Sequence, residues 1–178
     1  MTGLFKVSDP SEARGNSVTA REILDKGADK IAHDLQGQPL VQGKLMSTMG
    51  LVYDSLGLYN PAQALLDKAL ETRQKTLGSD DPDVAGTLGQ LGTVWWHKGD
   101  FAKAETLMKQ ALAINEKHFG PEAAEVAAGL HNLGNVYWRW GKYDDARRVL
   151  ERSLAIREKT LGPDHPDTAT SLETLALL

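Results

Sequence analysis

Val84 to Glu125 reads VAGTLGQLGTVWWHKGDFAKAETLMKQALAINEKHFGPEAAE, and Val126 to Asp167 reads VAAGLHNLGNVYWRWGKYDDARRVLERSLAIREKTLGPDHPD. The two align without a gap and are identical at 16 of 42 positions. Working outward, Gln42 to Asp83 is a third copy in the same register. Gly50, Gly92 and Gly134 are 42 residues apart, as are Tyr53, Trp95 and Tyr137, Gly57, Gly99 and Gly141, and Ala62, Ala104 and Ala146. Self-similarity at a period of roughly 20–50 residues marks an array of one supersecondary unit that buries its apolar face only by stacking.

Each copy reads as helix, turn, helix. Leu88, Leu91, Gly92 and Trp95 fall on one helical face, and Ala104, Leu107, Met108, Ala111 and Leu112 repeat that pattern in the second helix. Gly99-Asp100 stops the first helix, and Phe119-Gly120-Pro121, Leu77-Gly78 and Leu161-Gly162-Pro163 stop the second ones, because glycine accepts the left-handed conformation at a helix end. No β-branched alternation runs long enough for a strand, so the fold class is all-α. The recurring glycines and alanines are expected at close helix contacts, with Tyr53, Trp95 and Tyr137 filling the space beside them.

The array extends both ways. Ala20, Ile23, Leu24, Gly27, Ala28, Ile31 and Leu35 reproduce the second-helix pattern, with Asn16 or Ser17 as N-cap. Thr168 to Leu178 restarts the first-helix pattern with Leu172, Leu175 and Ala176. The organisation is a lead-in (1–16), a half-repeat holding only a second helix (17–39), three full repeats (40–83, 84–125, 126–167) and a first helix alone (168–178): eight helices in all. A last repeat without a neighbour leaves Leu172, Leu175 and Leu178 on an open face. The expectation is that the chain is a piece of a longer array, or that it forms a homodimer through its C-terminal helix.

Composition narrows the function. Apolar residues make up 41% and charged residues 25% of the 178, too apolar for disorder. A net charge of −4 with no basic run gives no footprint for nucleic acid. With no cysteine, disulfides, thiolate metal sites and cysteine nucleophiles are excluded. No apolar run reaches the ~18 residues of a membrane span, and Met1 to Val7 is no secretory signal, so the expected address is cytoplasmic.

Gly134, Tyr137, Gly141, Tyr143 and Ala146, then Leu154-Ala155-Ile156 and His165-Pro166-Asp167, carry a resemblance to the 42-residue tetratricopeptide repeat of kinesin light chains. It covers Ser17 to the last residue. The resemblance implies a right-handed α-solenoid of antiparallel helix pairs acting as a protein–protein interaction scaffold, with a protein or peptide as partner. VSDPSEARGNSVTAREILDKGADKI, beginning at Val7, is similar to the segment that introduces the repeats of bacterial serine/threonine kinases with C-terminal arrays. HRD and DFG triplets are absent, so the chain would be the regulatory or self-assembly module of such a signalling protein.

The family resemblance further implies that first helices line a concave groove and second helices form a convex back. By matching positions the groove would present Lys44, Ser47, Leu51, Asp54 and Ser55, then Gly86, Gly89, Thr93, Trp96 and His97. The third repeat adds Ala128, His131, Asn135, Trp138 and Arg139, and the fourth adds Thr170 and Glu173. Cochaperone members grip a peptide carboxylate with a lysine and an asparagine one turn apart. Here those places hold Ser47 and Leu51, Gly89 and Thr93, and His131 and Asn135, so the lysine is missing throughout. Trp96 and Trp138 are equivalent and should lie side by side in the groove, suited to a binding hot spot or to packing between repeats. Gly86 and Gly89 each cost ~1 kcal/mol against alanine in a helix, which requires close packing or a ligand to explain them.

Catalytic and metal chemistry is not found. The five histidines lack metal-ligand spacing, and His97 with His131 would still need a third ligand. His165 belongs to the repeat's loop. GQPLVQGKL has its glycines one residue too far apart for a phosphate loop, and no GxSxG elbow exists. Asp80-Asp81 and Asp144-Asp145 suit helix starts, and Arg147, Arg148 and Arg152 fall on the convex back. No enzyme, cofactor or metal is expected.

Overall fold

The computed structural model describes residues 20–178, so the 1–16 lead-in and the Asn16 or Ser17 cap lie outside the described residues. Eight helices follow one another: α1 (Ala20–Asp34), α2 (Pro39–Ser55), α3 (Tyr59–Leu77), α4 (Pro82–His97), α5 (Phe101–Phe119), α6 (Ala124–Trp140), α7 (Tyr143–Leu161) and α8 (Pro166–Ala176). No strand occurs among the described residues. Three hairpins, α2–α3, α4–α5 and α6–α7, stack in chain order as a solenoid, with α1 and α8 flanking them.

Local chemistry sets the helix ends. Pro39, Pro82 and Pro166 open first helices, where a missing N–H costs nothing. The Asp81 carboxylate accepts the Asp83 N–H at 2.8 Å, Asp100 accepts the Lys103 N–H at 3.1 Å, and His165 Nδ1 accepts the Asp167 N–H at 3.2 Å. The Asp144-Asp145 pair sits in the first turn of α7. Gly57, Gly99 and Gly141 take φ of 73°, 82° and 78°. After each of them the next N–H reaches back five residues: Leu58 to the Tyr53 carbonyl, Asp100 to Trp95 and Lys142 to Tyr137. This Schellman geometry closes the orphan carbonyls and turns the chain straight into the second helix.

Packing inside each hairpin rests on one contact. A Cβ added to Gly50 would sit 2.7 Å from Leu66 Cγ, one at Gly92 2.7 Å from Met108 Cγ, and one at Gly134 2.5 Å from Leu150 Cγ. The second-helix side chain therefore lies on the bare backbone of the first. Ala62, Ala104 and Ala146 are fully buried beside it, as are Tyr53 and Tyr137. The Tyr137 hydroxyl donates to Glu105 of the preceding hairpin at 2.8 Å. Burial works against the Glu105 charge, but hydrogen bonds from Lys109, Tyr137 and Lys142 outweigh it and hold the carboxyl down at about 2.

Between hairpins the fold uses a buried arginine latch. Arg73 Nη1 on α3 donates to Thr87 Oγ1 at 2.6 Å and to the Asp83 carbonyl at 3.0 Å on α4. Arg157 on α7 donates to Ser171 Oγ at 2.7 Å and to the Asp167 carbonyl at 2.8 Å on α8. At the junction between them, Asn115 and Gly129 occupy the equivalent places, and Leu112 instead packs at 3.4 Å from the Gly129 Cβ position.

Two outcomes follow. Gly134→Leu should cost ~1–3 kcal/mol in denaturant melts, because Leu150 has nowhere to go, whereas Gly89→Ala, whose Cβ meets nothing within 4 Å, should gain up to ~1 kcal/mol. Arg157→Ala should unlatch α8 selectively, read by hydrogen exchange as faster amides over Pro166–Ala176 with little change over α4–α5.

Candidate protein-binding groove

First helices α2, α4 and α6 lie beside one another, and their faces away from the second helices form one surface. On it Lys44, Leu51 and Ser55 are exposed from α2, Gly86 and His97 from α4, and Ala128, Trp138 and Arg139 from α6. Gly89, Thr93 and Asn135 are half-buried along the middle, and Thr170 and Glu173 are exposed on α8. The Thr93 hydroxyl is turned back onto the Gly89 carbonyl at 3.2 Å.

The three spaced glycines of α4 separate into two kinds. Gly92 is filled from behind by Met108, whereas Gly86 and Gly89 have open space within 4 Å of a would-be Cβ. Among the described residues nothing packs on them to offset their conformational cost. They leave a bare stretch of helix backbone in the centre of the surface.

The two tryptophans are placed differently. Trp96 is half-buried against the core cluster in which Ala104 and Met108 of its own repeat meet Leu133, Val136 and Tyr137 of the following one, and its Nε1 is buried without a hydrogen-bond partner among the described residues. Its ring neighbour is His97, at 4.7 Å between centroids. Trp138 keeps 37% of its surface exposed. Trp138 is thus the more exposed of the two. His97 Nδ1 meets the Asp54 carboxylate at 2.8 Å and stacks on Tyr59 at 5.4 Å, tying α4 to the first hairpin. His131, expected on the groove surface, is instead buried and feels the Arg157 charge, so the two histidines serve different neighbours. Among the described residues no group of three His, Asp or Glu side chains is placed to hold a metal.

Behind the groove, the arginines at positions 147, 148 and 152 are exposed on α7. Arg148 pairs with Asp145 at 2.6 Å and Arg152 with Glu116 at 2.7 Å. Such solvated pairs contribute little to stability. Among the described residues no helix is long and apolar enough to cross a membrane.

Sequence reasoning passed over the Asp54–His97 pair and the arginine latches. The latch had a signal: Arg73 and Arg157 are two periods apart, and so are Thr87 and Ser171. The Asp54–His97 pair had none, since the other copies place Trp96 with Arg139 there.

A model of the tetratricopeptide repeat family matches residues 42–117 and 125–178. A search of curated proteins found no match. Among solved structures, BtubC (BKLC) from P. vanneervenii superposes with a TM-score of 0.76 at 23% identity, over 89% of this chain and 63% of that one. The nearly identical repeats of a putative kinesin light chain from Podosopora anserina give 0.71 at 27% identity, over 79% of this chain and 66% of that one. The N-terminal domain of stress-induced protein-1 (STI-1) from C. elegans gives 0.57 at 15% identity, over 78% of this chain and 98% of that one. The chain spans just under two thirds of the length of the first two.

Burial, and then the Arg157 charge, push the His131 pKa below its usual 6.5. The unfolded chain therefore takes up a proton that the fold refuses, and stability should decline as pH falls through 6.5. His131→Gln should flatten the fall in melting temperature between about pH 7.5 and about pH 5. An unchanged slope would assign that pH dependence to other groups.

Proposed function

The chain belongs to the tetratricopeptide repeat family, and from that premise we propose that the surface of α2, α4 and α6 is a groove that holds a segment of another protein. Arrays of this family are protein–protein interaction scaffolds and are in general not enzymes. The observation that carries the groove reading is the open floor at Gly86 and Gly89. Two helix-weakening residues stand where none of the described residues needs the space, and a bound backbone can approach there more closely than any side chain would allow.

The surroundings suit such a backbone. Thr93 and Asn135 supply uncharged polar groups midway along the groove, and Asn132 is exposed beside them. Trp138, apolar in body with one N–H donor, stands at one end next to Arg139. Lys44 and Arg139 are exposed cations on different helices, favouring a segment with acidic side chains. The lysine–asparagine carboxylate clamp has no counterpart, so recognition runs along the segment rather than at its terminus.

A library of displayed peptides, panned against the protein and followed by titration of the best binder, tests this. Trp138→Ala should weaken binding by about 2 kcal/mol, roughly 30-fold. Gly86→Leu with Gly89→Leu should block it while helix content is retained. Unchanged affinity in both variants, with loss on Arg147→Glu and Arg148→Glu, would move the site to the back.

A further inference from the structure

The two seams between neighbouring first helices are built differently. Between α2 and α4, residues 43 places apart meet in two polar pairs: the Ser47 hydroxyl donates to Gln90 Oε1 at 2.6 Å, and the Asp54 carboxylate meets His97 Nδ1 at 2.8 Å. The repeat carries the same register to the seam between α4 and α6, where Gly89 falls opposite Asn132 and Trp96 opposite Arg139. Neither makes a pair. Gly89 has no side chain to offer, and nothing lies within 4 Å of its Cβ position. Trp96 offers an N–H where a guanidinium needs an acceptor, and that Nε1 is itself without a partner among the described residues. Asn132 and Arg139 are both exposed, and neither has a hydrogen bond or an ion pair with any described residue.

Resting on the groove reading above, we propose that the α4–α6 seam is the part of the groove that selects the partner. Its occupant is an extended protein segment laid along the seam, with a side-chain carboxylate on Arg139 and a backbone amide on Asn132, over the bare floor of Gly86 and Gly89. The ligand carboxylate takes the place that Asp54 fills in the first seam. A guanidinium donates two parallel hydrogen bonds to a carboxylate, and an asparagine amide both donates to and accepts from a peptide group. Asn132 and Arg139 are seven residues apart, roughly 10 Å along a helix that rises ~1.5 Å per residue. An extended chain covers that distance in about three residues. The acidic residue therefore stands about three positions from the residue held at Asn132. Selectivity follows from charge at that one position, while the first seam, whose Asp54 and Ser47 are already paired, adds little to it.

A charge swap on the full chain tests this. The best binder from the displayed-peptide selection is remade with each of its acidic residues replaced in turn by lysine, and every peptide is titrated against wild type and Arg139→Glu. One replacement should weaken binding to wild type by about tenfold or more and recover most of it on Arg139→Glu, the other positions changing little. Closing the seam on the pattern of the first, with Gly89→Ser and Asn132→Gln together, should weaken the parent peptide by a similar factor while helix content by circular dichroism is unchanged. Loss of the parent peptide in Trp138→Ala with full affinity in Arg139→Glu overturns the seam assignment and leaves the groove reading standing. Full affinity in both variants overturns the two together. A selected binder that carries no acidic residue also overturns the proposal.

Discussion

One contact governs this molecule: a branched or thioether side chain of each second helix seated on a glycine of the first. With Cβ positions at Gly50, Gly92 and Gly134 falling 2.5–2.7 Å from Leu66, Met108 or Leu150, no other residue fits. That proximity fixes how far apart the two helix axes lie, and hence where Tyr53 and Tyr137 can be buried at the edge of the same contact. The Schellman turns at Gly57, Gly99 and Gly141 then return the chain at the correct height for the contact to form. Hairpin geometry is thereby constant, and stacking constant hairpins yields a solenoid whose surface residues are free to differ.

The internal repeat separates framework from surface. Positions that hold the fold keep their residue type in all three copies: glycine at 50, 92 and 134, alanine at 62, 104 and 146. Positions facing the groove do not. Lys44, Gly86, Ala128 and Thr170 are equivalent, as are Leu51, Thr93, Asn135 and Leu177. A surface that changes from one repeat to the next presents a different chemical group at each step along its length. On the proposed reading, each step would offer a bound segment a different contact.

The architecture was legible because every framework residue carries a local reason for its type: a helix stop, a close approach, an apolar face at helical spacing. The eight helices were read from those positions and are the ones the structure shows among the described residues, and the family suggested by resemblance is the one whose model matches. Side-chain partnerships were less legible. Trp96 and Trp138 are equivalent in sequence, yet Trp96 is half-buried against the core shared by the second and third repeats while Trp138 is exposed. The difference comes from the neighbour each tryptophan meets, which periodicity does not encode. The Asp54–His97 pair and the Arg73 latch are likewise cross-repeat contacts between positions that vary among copies. The likeness of the opening stretch to kinase-linked arrays rests mostly on residues outside the described part of the chain.

The central claim is that ligand recognition belongs to the first helices and their open glycine floor. A photo-activatable cross-linker placed at successive positions of a selected peptide, with the adducts mapped by mass spectrometry, tests it most directly. The account predicts adducts between Gly86 and Thr93 on α4 and between Asn135 and Arg139 on α6, moving along the groove as the cross-linker moves along the peptide. Adducts concentrated between Arg147 and Arg152 on α7 would contradict it.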